Sequence, residues 1–269
     1  MKIVTYNIRN WRNADHQSNL QQVLETLRAA DADLIGLNEA LHPHPSPEKG
    51  LAALDYLARE LGMDAVFGPA FQPRNAFHFP QTMSGNALLS RWPILASAAH
   101  HLTPVLKNQR GLLEARVLLP DNTPLTIYVT HLEPKDEDAR MQQAQAVLAW
   151  TIRDRGKPHI LMGDLNTYNP ADFPTEEALV DFRARAEKRG FTFFRAQVIP
   201  KLLKSGYVDA CETAPRATWD TEDELWARLD YILLSRALAP QLRRCQTIDA
   251  AAARRASDHL PVMATLSSG

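Results

Sequence analysis

Along this chain, short runs of consecutive apolar residues alternate with stretches where apolar positions recur every three or four residues. The first pattern marks strands buried on both faces, the second marks amphipathic helices packed on them. Lys2-Ile3-Val4-Thr5-Tyr6 reads as a strand, Leu20, Val23, Leu24 and Leu27 follow at helical spacing, and Ala32-Asp33-Leu34-Ile35-Gly36-Leu37 reads as a buried strand. The chain therefore opens β-α-β. His42-Pro43-His44-Pro45-Ser46-Pro47 cannot be helix or central strand, because proline lacks an N–H and restricts the residue before it. A rim loop is predicted there, then a helix over 50–61.

From 64 to 130 the pattern changes to strands separated by turn residues, at 65–67, 85–90, 94–95, 112–119 and 125–130. Consecutive strands without helices imply antiparallel hairpins. A long amphipathic helix over 136–154, with Met141, Ala144, Val147, Leu148 and Ile152 inward, leads to a strand at 160–162. Another helix is predicted over 175–189, whereas 191–204 is apolar and basic with no assignable pattern. Strands at 229–234, 245–248 and 260–266 close the chain. Mixed strands with interspersed helices predict an α/β (α+β) fold, two packed mixed β-sheets flanked by helices in a four-layer sandwich. With 269 residues and no repeat, low-complexity tract or linker, one domain over 1–269 is expected.

The formal net charge of -1 provides no global field for a polyanion, so any such grip must come from a local patch, with Arg9, Arg12, Arg74 and Arg110 as scattered candidates. Cys211 and Cys245 form no CxxC pair. They suit a reducing compartment, show no zinc-site spacing and predict no disulfide framework. No leader pattern opens the chain and no apolar run approaches the roughly 18–20 residues needed to span a bilayer. A soluble, cytoplasmic protein is expected, with no signal for its oligomeric state.

The chemistry gathers at strand ends. Asn7, Glu39, His131, Asp164, Asn166, Asp230, Asp258 and His259 each stand at the mouth of an apolar run. Buried acids, amides and imidazoles cost free energy unless satisfied, and a hard cation or a phosphate is the natural partner. Carboxylate and amide oxygens suit Mg²⁺ or Mn²⁺, and the two histidines lack zinc-site spacing. Taken singly, an Asp or Asn after a strand is more often a turn or helix cap than a ligand. His42, His44, His100, His101 and His159 form no metal pattern and read as packing or solvated residues. Trp92, Trp219 and Trp226 read as core before they read as stacking platforms for a substrate.

The ordered series Thr5-Tyr6-Asn7, Leu37-Asn38-Glu39, Gly85-Asn86-Ala87-Leu88-Leu89-Ser90, Thr130-His131-Leu132, Gly163-Asp164-Leu165-Asn166, Arg228-Leu229-Asp230-Tyr231 and Ser257-Asp258-His259-Leu260-Pro261 resembles the endonuclease/exonuclease/phosphatase superfamily. That group includes deoxyribonuclease I, exonuclease-III-like AP endonucleases, neutral sphingomyelinases and inositol polyphosphate 5-phosphatases, and the resemblance implies their deoxyribonuclease I-like sandwich. It implies a Mg²⁺ (or Mn²⁺) ion on Glu39, with Asn7 and Asp258 completing its shell. It implies that Asp164 positions or deprotonates the attacking water, that Asn166 holds the phosphate, and that Asp230 orients His259 against it. His131 would serve the leaving group, while Asn86 and Arg110 would face the substrate phosphate. The implied activity is hydrolysis of a phosphodiester or phosphomonoester by direct water attack, on nucleic acid or on a small or lipid phosphate ester. Asn38 stands where the family usually has glutamine. Arg9 stands where the AP-endonuclease branch carries an acid, which weakens an abasic-site role. A noncatalytic binding module on the same fold is the alternative from another class.

Overall fold

In the computed structural model, residues 1–73, 81–103, 109–188, 196–213, 216–219 and 227–267 are described. The chain opens with β1 (Lys2–Asn7), α1 (Leu20–Ala30), β2 (Leu34–His42) and α2 (Ala53–Leu61), followed by the hairpin strands β3 (Asp64–Phe71) and β4 (Met83–Ser90). Next come β5 (Ile94–His101), β6 (Gly111–Leu118) and β7 (Pro124–His131), then α3 (Glu137–Thr151) and β8 (His159–Asp164). The last part holds α4 (Glu176–Lys188), α5 (Val198–Lys204), β9 (Tyr207–Asp209), β10 (Asp230–Ser235), β11 (Leu242–Thr247), α6 (Ala251–Ala256) and β12 (Val262–Leu266).

Helix boundaries follow local chemistry. The Asp136 carboxylate caps α3 by accepting from the Asp138 and Ala139 amides, both at 3.0 Å. Gly62 ends α2 at φ 64°, the left-handed conformation that lets a helix close its last carbonyls.

The strands form two six-stranded sheets, ordered β11-β12-β1-β2-β4-β3 and β5-β6-β7-β8-β10-β9. In each, one central pair is parallel, β1 with β2 and β7 with β8, and the other pairings are antiparallel. Because side chains alternate along a strand, β1 sends Ile3 to one face and Val4 to the other. Ile3, Leu34, Leu88 and Val262 of the first sheet pack against Leu113, Ile127, Met162 and Ile232 of the second. On the outer faces, α1, α2 and α6 cover the first sheet and α3 and α5 cover the second. This is the expected four-layer sandwich, with a deoxyribonuclease I-like fold.

Leu20, Val23, Leu24 and Leu27 are all buried, as their spacing predicts. Ile152 is not: it is 60 % exposed, because α3 ends at Thr151 and the chain continues as a tighter 3-10 turn that rotates this side chain off the inward stripe. Met141 and Leu148 are partly buried, Ala144 and Val147 fully. In the unassigned stretch, α5 buries Val198, Ile199 and Leu202, while residues 189–195 lie outside the described residues. The three-residue β9 and the alanine-rich α6 were too short to show a period.

A second expectation is overturned. Cys211 and Cys245 are joined in a disulfide across 34 residues of sequence. Cys211 follows β9 and Cys245 lies on β11, so the bond joins one edge of each sheet. That proximity comes from topology and leaves no trace in cysteine spacing. Among the described residues, no helix is long and apolar enough to cross a membrane.

Candidate active site

The two parallel pairs end at the same rim of the sandwich. In register, Asn7 lies opposite Asn38 on β2, His131 opposite Asp164 on β8, and Asp230 on β10 faces Asp164 from the other side. Between Leu37↔Ala87 and Ala40↔Gly85 the register of β2 and β4 slips by one residue, a bulge containing Asn38 and Glu39. Glu39 takes φ 55° there. Such a bulge redirects a side chain that regular alternation would send elsewhere. Gly163, at φ 140°, lets β8 approach β7: a Cβ there would lie 1.9 Å from the Thr130 carbonyl oxygen.

Beneath the rim, the buried Asn38 amide ties the two sheets together. Its Nδ2 donates to Asn86 Oδ1 (2.9 Å) and to the Thr130 carbonyl (3.0 Å), and its Oδ1 accepts from the Asp164 backbone N–H (2.8 Å). The Asn86 amide is itself spent on the Gly111 carbonyl at 2.8 Å. Asn7 Nδ2 donates to Asp164 Oδ2 (3.0 Å) and Glu39 Oε1 (3.3 Å). The other Asp164 oxygen accepts from the Asn166 N–H at 2.9 Å.

The imidazoles differ sharply in charge. His259 Nδ1 lies 2.8 Å from Asp230 Oδ2, and its Nε2 lies 3.7 Å from Asp164 Oδ2. Burial alone would lower the His259 pKa, but the facing Asp230 and Asp164 carboxylates push it up to about 10, so the ring is cationic at neutral pH. His131 is held well below its ordinary value by burial and by the nearby Arg110 and His259 charges. Its Nε2 lies 2.8 Å from Asn166 Nδ2 and 3.4 Å from Asp164 Oδ2, and Arg110 Nη1 approaches its Nδ1 at 3.4 Å. Burial, aided by Asp230, raises Asp164 from 3.8 to about 7 even though His259 opposes the shift.

Glu39 is also raised, chiefly by burial and then by the Asp258 charge, with His259 and Asn7 opposing. A buried acid disfavoured in this way, beside a second acid and amide oxygens, is a donor set that a hard divalent cation would satisfy. A second group, Asp164, Asp230 and His259, has ligand atoms within 4.8 Å of one another and could hold a metal ion. Its histidine is better read as a cation bound to Asp230, since an imidazolium has no lone pair to offer a metal. One Asp230 oxygen, Oδ1, is buried without a hydrogen-bond partner among the described residues.

All eight strand-mouth residues thus lie on one rim. Asp258 is its most exposed acid, 3.7 Å from Arg9 Nε. Arg110 is largely buried, with its guanidinium over the Phe71 ring and 3.9 Å from Glu133. Trp92 packs on the core and Trp219 on the Tyr168–Phe182 cluster, with its backbone bridged to His259. Trp226 and Arg74 lie outside the described residues. His100 stacks on Trp150 at 3.7 Å and pairs with Glu114, while His159 binds Tyr207.

Three supporting residues were not singled out from the sequence. Asn10 Nδ2 donates to Glu39 Oε2 at 2.5 Å, Thr218 Oγ1 accepts from the Leu229 and Asp230 amides, and Ser257 Oγ donates to the Asn7 carbonyl. Two of them left a signal, Asn10 as a polar residue three places after Asn7 and Ser257 as the first residue of the Ser257-Asp258-His259-Leu260-Pro261 run.

The protein YbhP of Escherichia coli (strain K12) is 28% identical over 235 residues, covering 81% of this chain and 90% of that protein. An AP endonuclease from Archaeoglobus fulgidus superposes with a TM-score of 0.70 at 18% identity, each chain covered in full. The mannosyl-6-phosphatase Bt3783 of Bacteroides thetaiotaomicron gives 0.66 at 19%, again over both whole chains. The Endonuclease/Exonuclease/phosphatase family model matches residues 4–259, from the first strand through His259, and the chain belongs to that family, whose members are generally hydrolases of phosphate esters.

Proposed function

We propose that this protein is a divalent-metal-dependent phosphoesterase that hydrolyses a phosphodiester or phosphomonoester bond by direct attack of water. The observation that carries this reading is Asp164, a buried carboxylate raised to about 7 and bracketed by Asn7, His131 and His259. A general base works best when its pKa lies near the operating pH. Asp164 takes the proton of the attacking water as the new P–O bond forms in line with the bond that breaks. The cationic His259, oriented by Asp230, faces the charge gathering on the phosphoryl oxygens. Asn166 and Arg110 anchor the phosphate, and His131 stands by the leaving oxygen. Asn86, whose amide is engaged by Asn38 and Gly111, shapes the wall behind it. Glu39, Asn7 and Asp258 would hold Mg²⁺ or Mn²⁺, which when bound polarises a phosphoryl oxygen.

The test is a substrate panel of plasmid DNA, abasic duplex, oligoribonucleotides, inositol phosphates and sphingomyelin, run with Mg²⁺ and with Mn²⁺. At least one should be hydrolysed by the wild type and spared by Asp164→Asn. Steep loss of affinity with added salt would identify a nucleic acid, and indifference to salt a small or lipid ester. Metal binding without turnover on any ester would favour the noncatalytic module.

A further inference from the structure

Arg9, Asn10 and Trp11 adopt φ 51°, 55° and 60° in succession, a left-handed turn with no glycine in it. L residues visit this region mainly singly, and glycine most readily, so the surrounding structure must impose the turn. It does so from several sides. The Arg12 N–H closes onto the Arg9 carbonyl (3.0 Å), the Arg9 N–H donates to Asn7 Oδ1 (3.1 Å), and the fully buried Trp11 donates from Nε1 to the Leu41 carbonyl (2.9 Å). Leu41 is two residues beyond Glu39, so the turn is pinned to the bulged strand that presents this acid. The outcome is the 2.5 Å bond from Asn10 Nδ2 to Glu39 Oε2.

We infer that this turn is a clasp, and that Asn10 is a positioning residue that presets Glu39 for a divalent cation. The inference rests on the metal-dependent reading above. With Asn7 on one oxygen and Asn10 on the other, both Glu39 oxygens are oriented by neutral amides. A lysine or arginine there would also hold the acid, but its charge would oppose a cation. An amide fixes the geometry and leaves the negative charge and a free lone pair on each oxygen.

Mn²⁺ binding to the full chain, followed by the electron paramagnetic resonance signal of the free ion, separates positioning from folding. Asn10→Gly removes the amide and relieves the strained backbone at the same position, so it should melt no lower than the wild type while its Kd for Mn²⁺ rises about tenfold or more. Asn10→Ala should show the same weakening with a lower Tm. Unchanged or tighter Mn²⁺ binding by Asn10→Gly would overturn the inference while leaving the metal site standing. If the wild type binds no Mn²⁺, or Glu39→Gln binds it equally well, the metal reading itself fails and the role of Asn10 falls with it.

Discussion

The two sheets are built to one plan and carry opposite chemistry. Each places two antiparallel strands, a parallel pair joined through a helix, and two further antiparallel strands in the same order, with β11 and β12 completing the first sheet from the far end of the chain. Positions that correspond by register can therefore be compared. At the rim, the first sheet presents Asn7, Asn38 and Asn86, and the second presents His131, Asp164 and Asp230. Three amides face three titratable groups. The amides form a frame that neither gains nor loses protons in the physiological range, while the acids and imidazole next to it can exchange them. Within the described strands of the first sheet, the acid at this rim is the extra residue of the bulge, Glu39, while Asp258 comes from the loop that leads into β12. One plan thus separates the holding of charge from the movement of protons.

The largest effects should come from breaking each half at its charged residue. Glu39→Ala is expected to abolish both hydrolysis and metal-induced stabilisation, the latter read as loss of the Tm increase on adding Mg²⁺. Asp164→Asn should lower kcat by about 10²–10⁴-fold yet keep the Mg²⁺ response. If both variants lose metal binding equally, the division between the sheets is wrong.

Acidity should differ between the halves in a signed way. The Asp164 pKa is raised from 3.8 to about 7, so the folded state holds a proton that the unfolded state has released, and stability falls as pH rises between those values. In chelator at pH 8, Asp164→Asn should therefore melt higher than the wild type. Activity should fall below about pH 7 as the base protonates. Asp230→Asn removes the main charge raising His259, so the alkaline limb of the pH–rate profile should shift to lower pH. An unshifted limb would exclude His259 as the group responsible.

The amide frame should register mainly in folding. Asn38→Ala leaves buried donors and acceptors on both sheets unpaired and should cost roughly 2–4 kcal/mol in urea unfolding, against a far smaller loss for an exposed amide such as Gln21. The smallest effect lies at the opposite end of β8. Burial lowers the His159 pKa below its ordinary 6.5, so the unfolded chain takes up a proton there more readily. Stability from this residue is present above about pH 6.5 and is lost as pH falls toward the folded value. His159→Gln should flatten the decline in Tm between pH 7 and 5.

How much of this was legible before folding depended on range. Leu20, Val23, Leu24 and Leu27 announced α1 because a helix buries residues at its own period, and the proline-rich run after His42 announced a loop because proline removes donors. The strand-mouth acids, amides and imidazoles stood out against apolar neighbours, and the order of their motifs carried the resemblance. Ile152 misled because a periodic stripe does not reveal where a helix tightens into a 3-10 turn. The cysteines misled because pairing is set by which sheet edges meet.

By itself, then, the sequence determined the local elements, the four-layer class and the roster of residues able to bind a cation or move a proton, since these depend on side-chain type and short-range period. Only the tertiary structure decided that Asn38 would bridge the sheets, that a one-residue slip would turn Glu39 onto the rim, and that Asn10 would reach it from a left-handed turn. It also decided which histidine would be a cation: His259 and His131 share one intrinsic affinity for protons. They part because one faces Asp230 and Asp164 in a buried setting, while burial and the neighbouring Arg110 act together on the other.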